Sequence, residues 1–170
     1  LWTQGKPWES NAARAALQRQ NFHRYWNAEQ QRGQSPKVMA KYGGSHIVRG
    51  LSQTAVFDLG TLIPEIAALE GGHSFSLMVV PGAGADIAGL NPSTWSFEPR
   101  SAESGYVKDI KPLMDAAFED KFTLINLAAL RPVVGMNRGP LKDELFRVIH
   151  GFDMLLVMSG STPSGELEHD

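Results

Sequence analysis

Residues 122–130 read Phe-Thr-Leu-Ile-Asn-Leu-Ala-Ala-Leu, and residues 152–158 read Phe-Asp-Met-Leu-Leu-Val-Met. The first is an almost continuous apolar run, the mark of a strand covered on both faces. A strand with one wet face would alternate apolar and polar residues instead. Two further runs suit strands. Phe75–Val80 reads FSLMVV and is ended by Pro81-Gly82. Lys37–Tyr42 reads KVMAKY and is broken by Gly43-Gly44-Ser45-His46.

Helices separate these runs. From Ala12 to Gln31 there is no Gly or Pro, and Ser10 or Asn11 suits the cap. Gly33 is the stop, and Ala13, Leu17 and Tyr25, with Phe22 at the margin, form a loose apolar stripe. Much of the rest of this segment is polar, which predicts a surface helix. A second helix is predicted from Thr61 or Pro64, with Gly71-Gly72 as its end. A third runs to Phe118 from about Ser104, or from Ile110 if Pro112 delays its start. A fourth spans Leu141 to His150, closed by Gly151. Residues 82 to about 103 are rich in Gly, Pro and Ser and read as a long irregular loop, and Ser159–Asp170 reads as a polar tail. Alternation of helix and strand predicts an α/β fold: a roughly four-stranded, mainly parallel sheet with helices on both faces, in a single domain.

Composition narrows the function. The 170 residues are 42% hydrophobic and 20% charged, which is globular and excludes wholesale disorder. No apolar run approaches the roughly 18 residues that a membrane helix needs. Sixteen basic and 18 acidic residues give a net charge of −2, so the chain lacks the basic footprint of a nucleic-acid binder. Cysteine is absent, which removes disulfides, thiolate metal sites and Cys nucleophiles and leaves the redox compartment open. The chain starts at Leu1 with no signal-peptide pattern, so the expectation is a processed product or, as the preferred reading, a piece of a longer protein.

In parallel sheets, ligands bind beyond the carboxyl ends of the strands. Gly43, Gly44, Ser45, His46 and Arg49 follow the first predicted strand, Arg131 the third, and Ser159 and Ser161 the fourth. Such a set suits a small-molecule substrate with polar or anionic oxygens. His46 is the sharpest residue: either a general base or a ligand for metal or haem, against the plain alternative of a loop hydrogen bond. Arg49 and Arg131 would clamp an anion, or tie loops together by salt bridges. Ser159-Gly160-Ser161-Thr162 would hold an oxyanion, or simply lead the chain out. Pro81-Gly-Ala-Gly-Ala-Asp86 lacks the third glycine of a dinucleotide fingerprint, and no Gly-Lys-Ser/Thr follows. In Phe22-His23-Arg24-Tyr25-Trp26 helical neighbours diverge, giving core plus solvent face. No two of the five His, at 23, 46, 73, 150 and 169, have helical metal-ligand spacing, and no Gly-x-Ser-x-Gly elbow occurs.

Residues 37–50, KVMAKYGGSHIVRG, resemble the strand-then-GxxH segment of the erythromycin esterase-like group. That group stands within a broader set that includes pheromone-shutdown, haem-binding ChaN and Tiki protease-like proteins. Arg14, Asn21 and Phe22 in RAALQRQNF look like the Arg…Asn-Phe pattern of the helix before that strand. NLAALRP and GFDMLLVMSGSTPS look like closing strand segments of related bacterial proteins. The resemblance covers most of the chain in order, through short motifs.

It implies a hydrolase in which His46 is the second-motif histidine and Arg14 and Asn21 face the site. It also implies that an earlier GxxH segment and an acidic residue come from a missing amino-terminal half. This piece alone is then expected to be a poor catalyst. No cofactor is required on this reading, whereas haem or a divalent metal belongs to the alternatives. A third alternative is a partner-binding domain whose loop carries Trp95 and Phe97. Surface left bare by the missing half would favour a homo-oligomer. The implied setting is a soluble protein of the bacterial cytoplasm or periplasm.

Overall fold

A computed structural model of the chain describes residues 5–33, 36–91, 93–94, 96–101, 105–136, 139 and 141–162. The chain divides into two compact units, Leu1–Ser76 and Leu77–Asp170. Trp95 and most of the predicted polar tail lie outside the described residues.

The first unit is helical. Helix α1, Pro7–Gln31, starts before the predicted Ser10 or Asn11 cap, because Pro7 fits the first turn, where its missing N–H leaves no bond unmade. Gly33 at φ 71° ends it as expected, its N–H bonding the Gln30 carbonyl at 2.9 Å. The buried residues of α1 are Asn11 and Ala15, not the predicted stripe: Leu17 and Tyr25 are exposed. Phe22 stacks on Trp26 at 5.9 Å, while His23, Arg24 and Tyr25 face solvent. Helix α2 is a single turn, Gly44–Ile47. Helix α3, Leu59–Leu69, begins earlier than Thr61 or Pro64, because Asp58 caps it and Pro64 lies inside it. Its Glu70 end is tied to α1 by Trp26 Nε1 at 2.8 Å and Gln30 Nε2 at 2.6 Å.

The predicted strand Lys37–Tyr42 does not form. No strand exists among the described residues of this unit to pair with it, and a lone strand has no hydrogen bonds to hold it.

The second unit carries the sheet. Strands β1 (Leu77–Pro81), β4 (Phe122–Asn126) and β5 (Met154–Met158) lie in the order β1-β5-β4. β1 and β5 are parallel, and β4 runs antiparallel to β5. Among the described residues the sheet is thus mixed and three-stranded; the expected four-stranded, mainly parallel sheet is not what these strands form.

Alternate residues of these strands divide into two sets. Met78 and Val80 of β1 and Leu155 and Val157 of β5 are buried; the same unit buries Ile110, Leu113, Leu145, Val148, Ile149 and Phe152. On the opposite face Val79, Leu156 and Leu124 stand in register, and Val79, Leu124 and Phe122 are at least half exposed. The apolar run at 122–130 is therefore covered on one face only. It also ends as a strand at Asn126, where a 3-10 turn, Ala128–Leu130, leads into α5 (Arg131–Met136).

The stretch read as an irregular loop holds a hairpin, β2 (Asp86–Asn91) and β3 (Ser96–Ser101), with Asp86 opposite Ser101. Its glycine and proline conceal it. In a two-stranded ribbon every strand has a free edge, so Pro99, opposite Ala88, removes no indispensable bond. The helix predicted to Phe118 is a 3-10 segment, Gly105–Ile110, followed by the short α4, Lys111–Asp115, where Pro112 occupies the first turn. α6, Asp143–Gly151, lies close to its predicted span.

Candidate functional site

The GxxH segment folds as one helical turn. The His46 N–H donates to the Gly43 carbonyl at 2.9 Å and the Val48 N–H to that of Gly44 at 3.0 Å. The turn holds Ser45 and His46 half-buried, with Gly43 and Gly44 exposed beside them. Gly43 has φ −60° and ψ 147°, open to any residue, and a Cβ there would meet only His46 Cδ2 at 3.9 Å. Gly43 is therefore not required by the backbone of the turn; what it contributes is open surface next to the imidazole.

The glycine that sterics require is Gly60. A Cβ there would stand 2.2 Å from the Ile47 carbonyl carbon and 2.4 Å from the Val48 oxygen. The first turn of α3 thus lies directly against the backbone that follows His46. Between them, Gly50 turns at φ 86°, and Ser52, 2% exposed, bonds the Thr54 hydroxyl and, more loosely, the Thr54 and Val56 N–H groups.

This arrangement brings Asp58 to His46. His46 Nδ1 lies 2.6 Å from Asp58 Oδ2, and Asp58 Oδ1 accepts the Leu59 N–H at 2.8 Å. The Asp58 side chain is 1% exposed and that of His46 23%. A carboxylate so buried is stabilised by these two donors and by the positive end of α3. An ionised carboxylate only accepts, so Nδ1 carries the hydrogen and donates it. In the neutral imidazole the lone pair is then on Nε2, which bonds no described residue. The Tyr42 ring stands edge-on to the imidazole at 6.3 Å. A histidine fixed at one nitrogen and open at the other can accept a proton from water or ligate a metal.

Asp58 was not among the residues picked out by sequence. Its signal is an N-cap aspartate immediately before the apolar stretch LGTLIPEIAAL. Reading Pro64 as a first-turn proline moves the helix start past it.

The other candidates separate. Arg49 is half-buried and already engaged within the fold. Arg14 is exposed on α1, its Nη2 donating to Asn11 Oδ1 at 3.2 Å, and Asn21 is half-buried on the same helix. Among the described residues no bond joins either to His46 or Asp58.

In the second unit Arg131 donates from Nε to the Ile149 carbonyl at 3.1 Å, and from Nη2 to the Phe152 carbonyl at 2.7 Å and Asp153 Oδ1 at 3.1 Å. These bonds hold the end of α6 and the entry to β5, the loop-tying role rather than the anion clamp. Ser159 donates to the Phe118 carbonyl at 2.8 Å and Ser161 to that of Met158 at 3.1 Å. The Gly160 N–H bonds the Ala83 carbonyl at 2.9 Å. This exit segment is consumed in holding backbone, not arranged around an oxyanion.

Among the described residues no three His, Asp or Glu side chains stand together as metal ligands, and no helix is long and apolar enough to cross a membrane. No family model, curated protein or solved structure matches the chain.

Proposed function

We propose that this chain is the carboxyl-terminal portion of an erythromycin esterase-like hydrolase in which His46 activates water against an ester or related bond. The observation that carries the reading is the His46–Asp58 pair, with Nδ1 held at 2.6 Å and Nε2 bonded to no described residue. Water bonded to Nε2 passes a proton to the imidazole as its oxygen attacks the carbonyl carbon. Asp58 stabilises the imidazolium that forms, and the same proton then goes to the leaving alkoxide. The resemblance of KYGGSHIVRG to the GxxH segment supplies the reaction class, and the remaining catalytic groups come from a preceding half of the protein.

The same geometry favours one second reading. An imidazole whose Nδ1–H rests on a carboxylate presents Nε2 as a ligand to haem iron or a divalent metal. His46 is the one ligand this pair offers, so further ligands would have to come from elsewhere. The partner-loop reading has less to stand on: Phe97 is 60% exposed on β3, and Trp95 lies outside the described residues.

The test is ester and lactone hydrolysis by the intact gene product, alongside its His46→Ala and Asp58→Asn variants, with circular dichroism to follow folding. Loss of turnover in both folded variants is expected. Turnover untouched by either substitution removes the hydrolase reading. A Soret band on haem addition that His46→Ala abolishes favours the ligand reading.

A further inference from the structure

The His46–Asp58 bond joins residues 12 apart in sequence through a loop without regular structure, so something outside the pair must hold its length. Two contacts of α3's first turn do so. The Thr61 hydroxyl oxygen accepts the Gly50 N–H at 3.0 Å and stands 3.3 Å from the Gly50 carbonyl, toward which its own hydrogen points. One residue earlier, the missing side chain of Gly60 lets the helix seat on the carbonyls of Ile47 and Val48. These contacts clasp both arms of the loop between the imidazole and the carboxylate. A loop closed at its base leaves little freedom for its ends to part.

We propose that Gly60 and Thr61 are positioning residues for the His46–Asp58 pair, Gly60 by allowing α3 to lie on the backbone after His46 and Thr61 by clasping Gly50. The inference rests on the hydrolase reading for its catalytic meaning, but its geometry is tested without turnover. Without the clasp the carboxylate drifts from Nδ1, and the imidazole returns to the mixture of tautomers it has in water.

The experiment is proton and nitrogen NMR of the 15N-histidine-labelled chain, with thermal melts to show folding. The parent is expected to show a low-field, exchange-protected Nδ1–H signal from His46, absent in Asp58→Asn. Thr61→Val keeps the shape of the side chain and loses the hydroxyl. It is expected to lose the signal and show Nε2–H tautomer while remaining folded, and Thr61→Ser is expected to restore the signal. Gly60→Ala is expected to lose it too; if that variant does not fold, the Thr61 series decides. A folded Thr61→Val with the signal and its protection unchanged overturns the proposal, as does a parent without the signal. A parent and variants that behave as expected in a protein that hydrolyses no ester leave the positioning in place and remove the hydrolase reading.

Discussion

Buried and half-buried polar side chains are put to two different uses, one best seen in each unit. In Leu77–Asp170, Arg131, Ser159 and Ser161 spend their donors on backbone carbonyls, and Arg131 adds Asp153. In Leu1–Ser76 a buried carboxylate holds one nitrogen of a half-buried imidazole, and the other bonds no described residue. Both patterns satisfy the rule that buried polar groups find partners. They differ in what is left over. A side chain that satisfies backbone holds the fold together, whereas one that fixes a titratable group and leaves it a free lone pair prepares chemistry. Residue type alone does not separate them, since arginine and serine also serve in sites and histidine also serves in structural bonds.

The largest effect that would break this contrast is catalytic. His46→Ala in the intact protein is expected to lower kcat/KM by about 10²–10⁴-fold, the usual contribution of a general base, with no loss of secondary structure. A drop of that size on Arg131→Ala, in a protein that stays folded, would place chemistry in the second unit as well.

Arg131→Ala is instead expected to act on stability, by about 2–3 kcal/mol in urea denaturation, because it strips two carbonyls and a carboxylate of a charged donor. Gly82→Ala comes next. A Cβ there would stand 2.5 Å from Ser159 Oγ and 2.8 Å from Val157 Cγ1, and overpacking of that kind costs about 1–3 kcal/mol. Ser159→Ala removes one hydrogen bond and is expected to cost about 1 kcal/mol by the same denaturation assay.

The smallest stability effect sharpens the comparison from the other side. Arg14 is exposed and among the described residues bonds Asn11 of its own helix alone, so Arg14→Ala is expected to shift stability by less than about 0.5 kcal/mol. A clear fall in kcat/KM from that variant would show that Arg14 faces the substrate, as the resemblance implies. Unchanged kinetics would remove it from the site.

Much of the helical layout was legible because it is written locally. The Gly- and Pro-free stretch from Ala12 to Gln31 forms α1, Gly33 and Gly71 close their helices at positive φ, and Leu141–His150 contains most of α6. The hairpin was not legible, because Gly89 and Pro99 are poor strand residues that a two-stranded ribbon tolerates. Nor was the loss of strand Lys37–Tyr42, whose composition suits a strand and whose surroundings provide no partner. Half of the site was legible for the same local reason: the Gly-Gly-Ser-His turn lies within four residues. Its other half, Asp58, depends on how α3 seats.

By itself, then, the sequence determined the interiors of α1 and α6 and the glycine stops of α1 and α3, the apolar identity of the three sheet strands, and His46 as the residue to examine. Those depend on steric and hydrogen-bonding preferences of neighbours in the chain. Only the tertiary structure decided that β4 runs antiparallel to β5, that Arg131 and Ser159 hold backbone, and that Asp58 orients His46. Each of those outcomes depends on groups 12 to 41 residues apart meeting at hydrogen-bond distance, and such a meeting is set by packing rather than by any local preference.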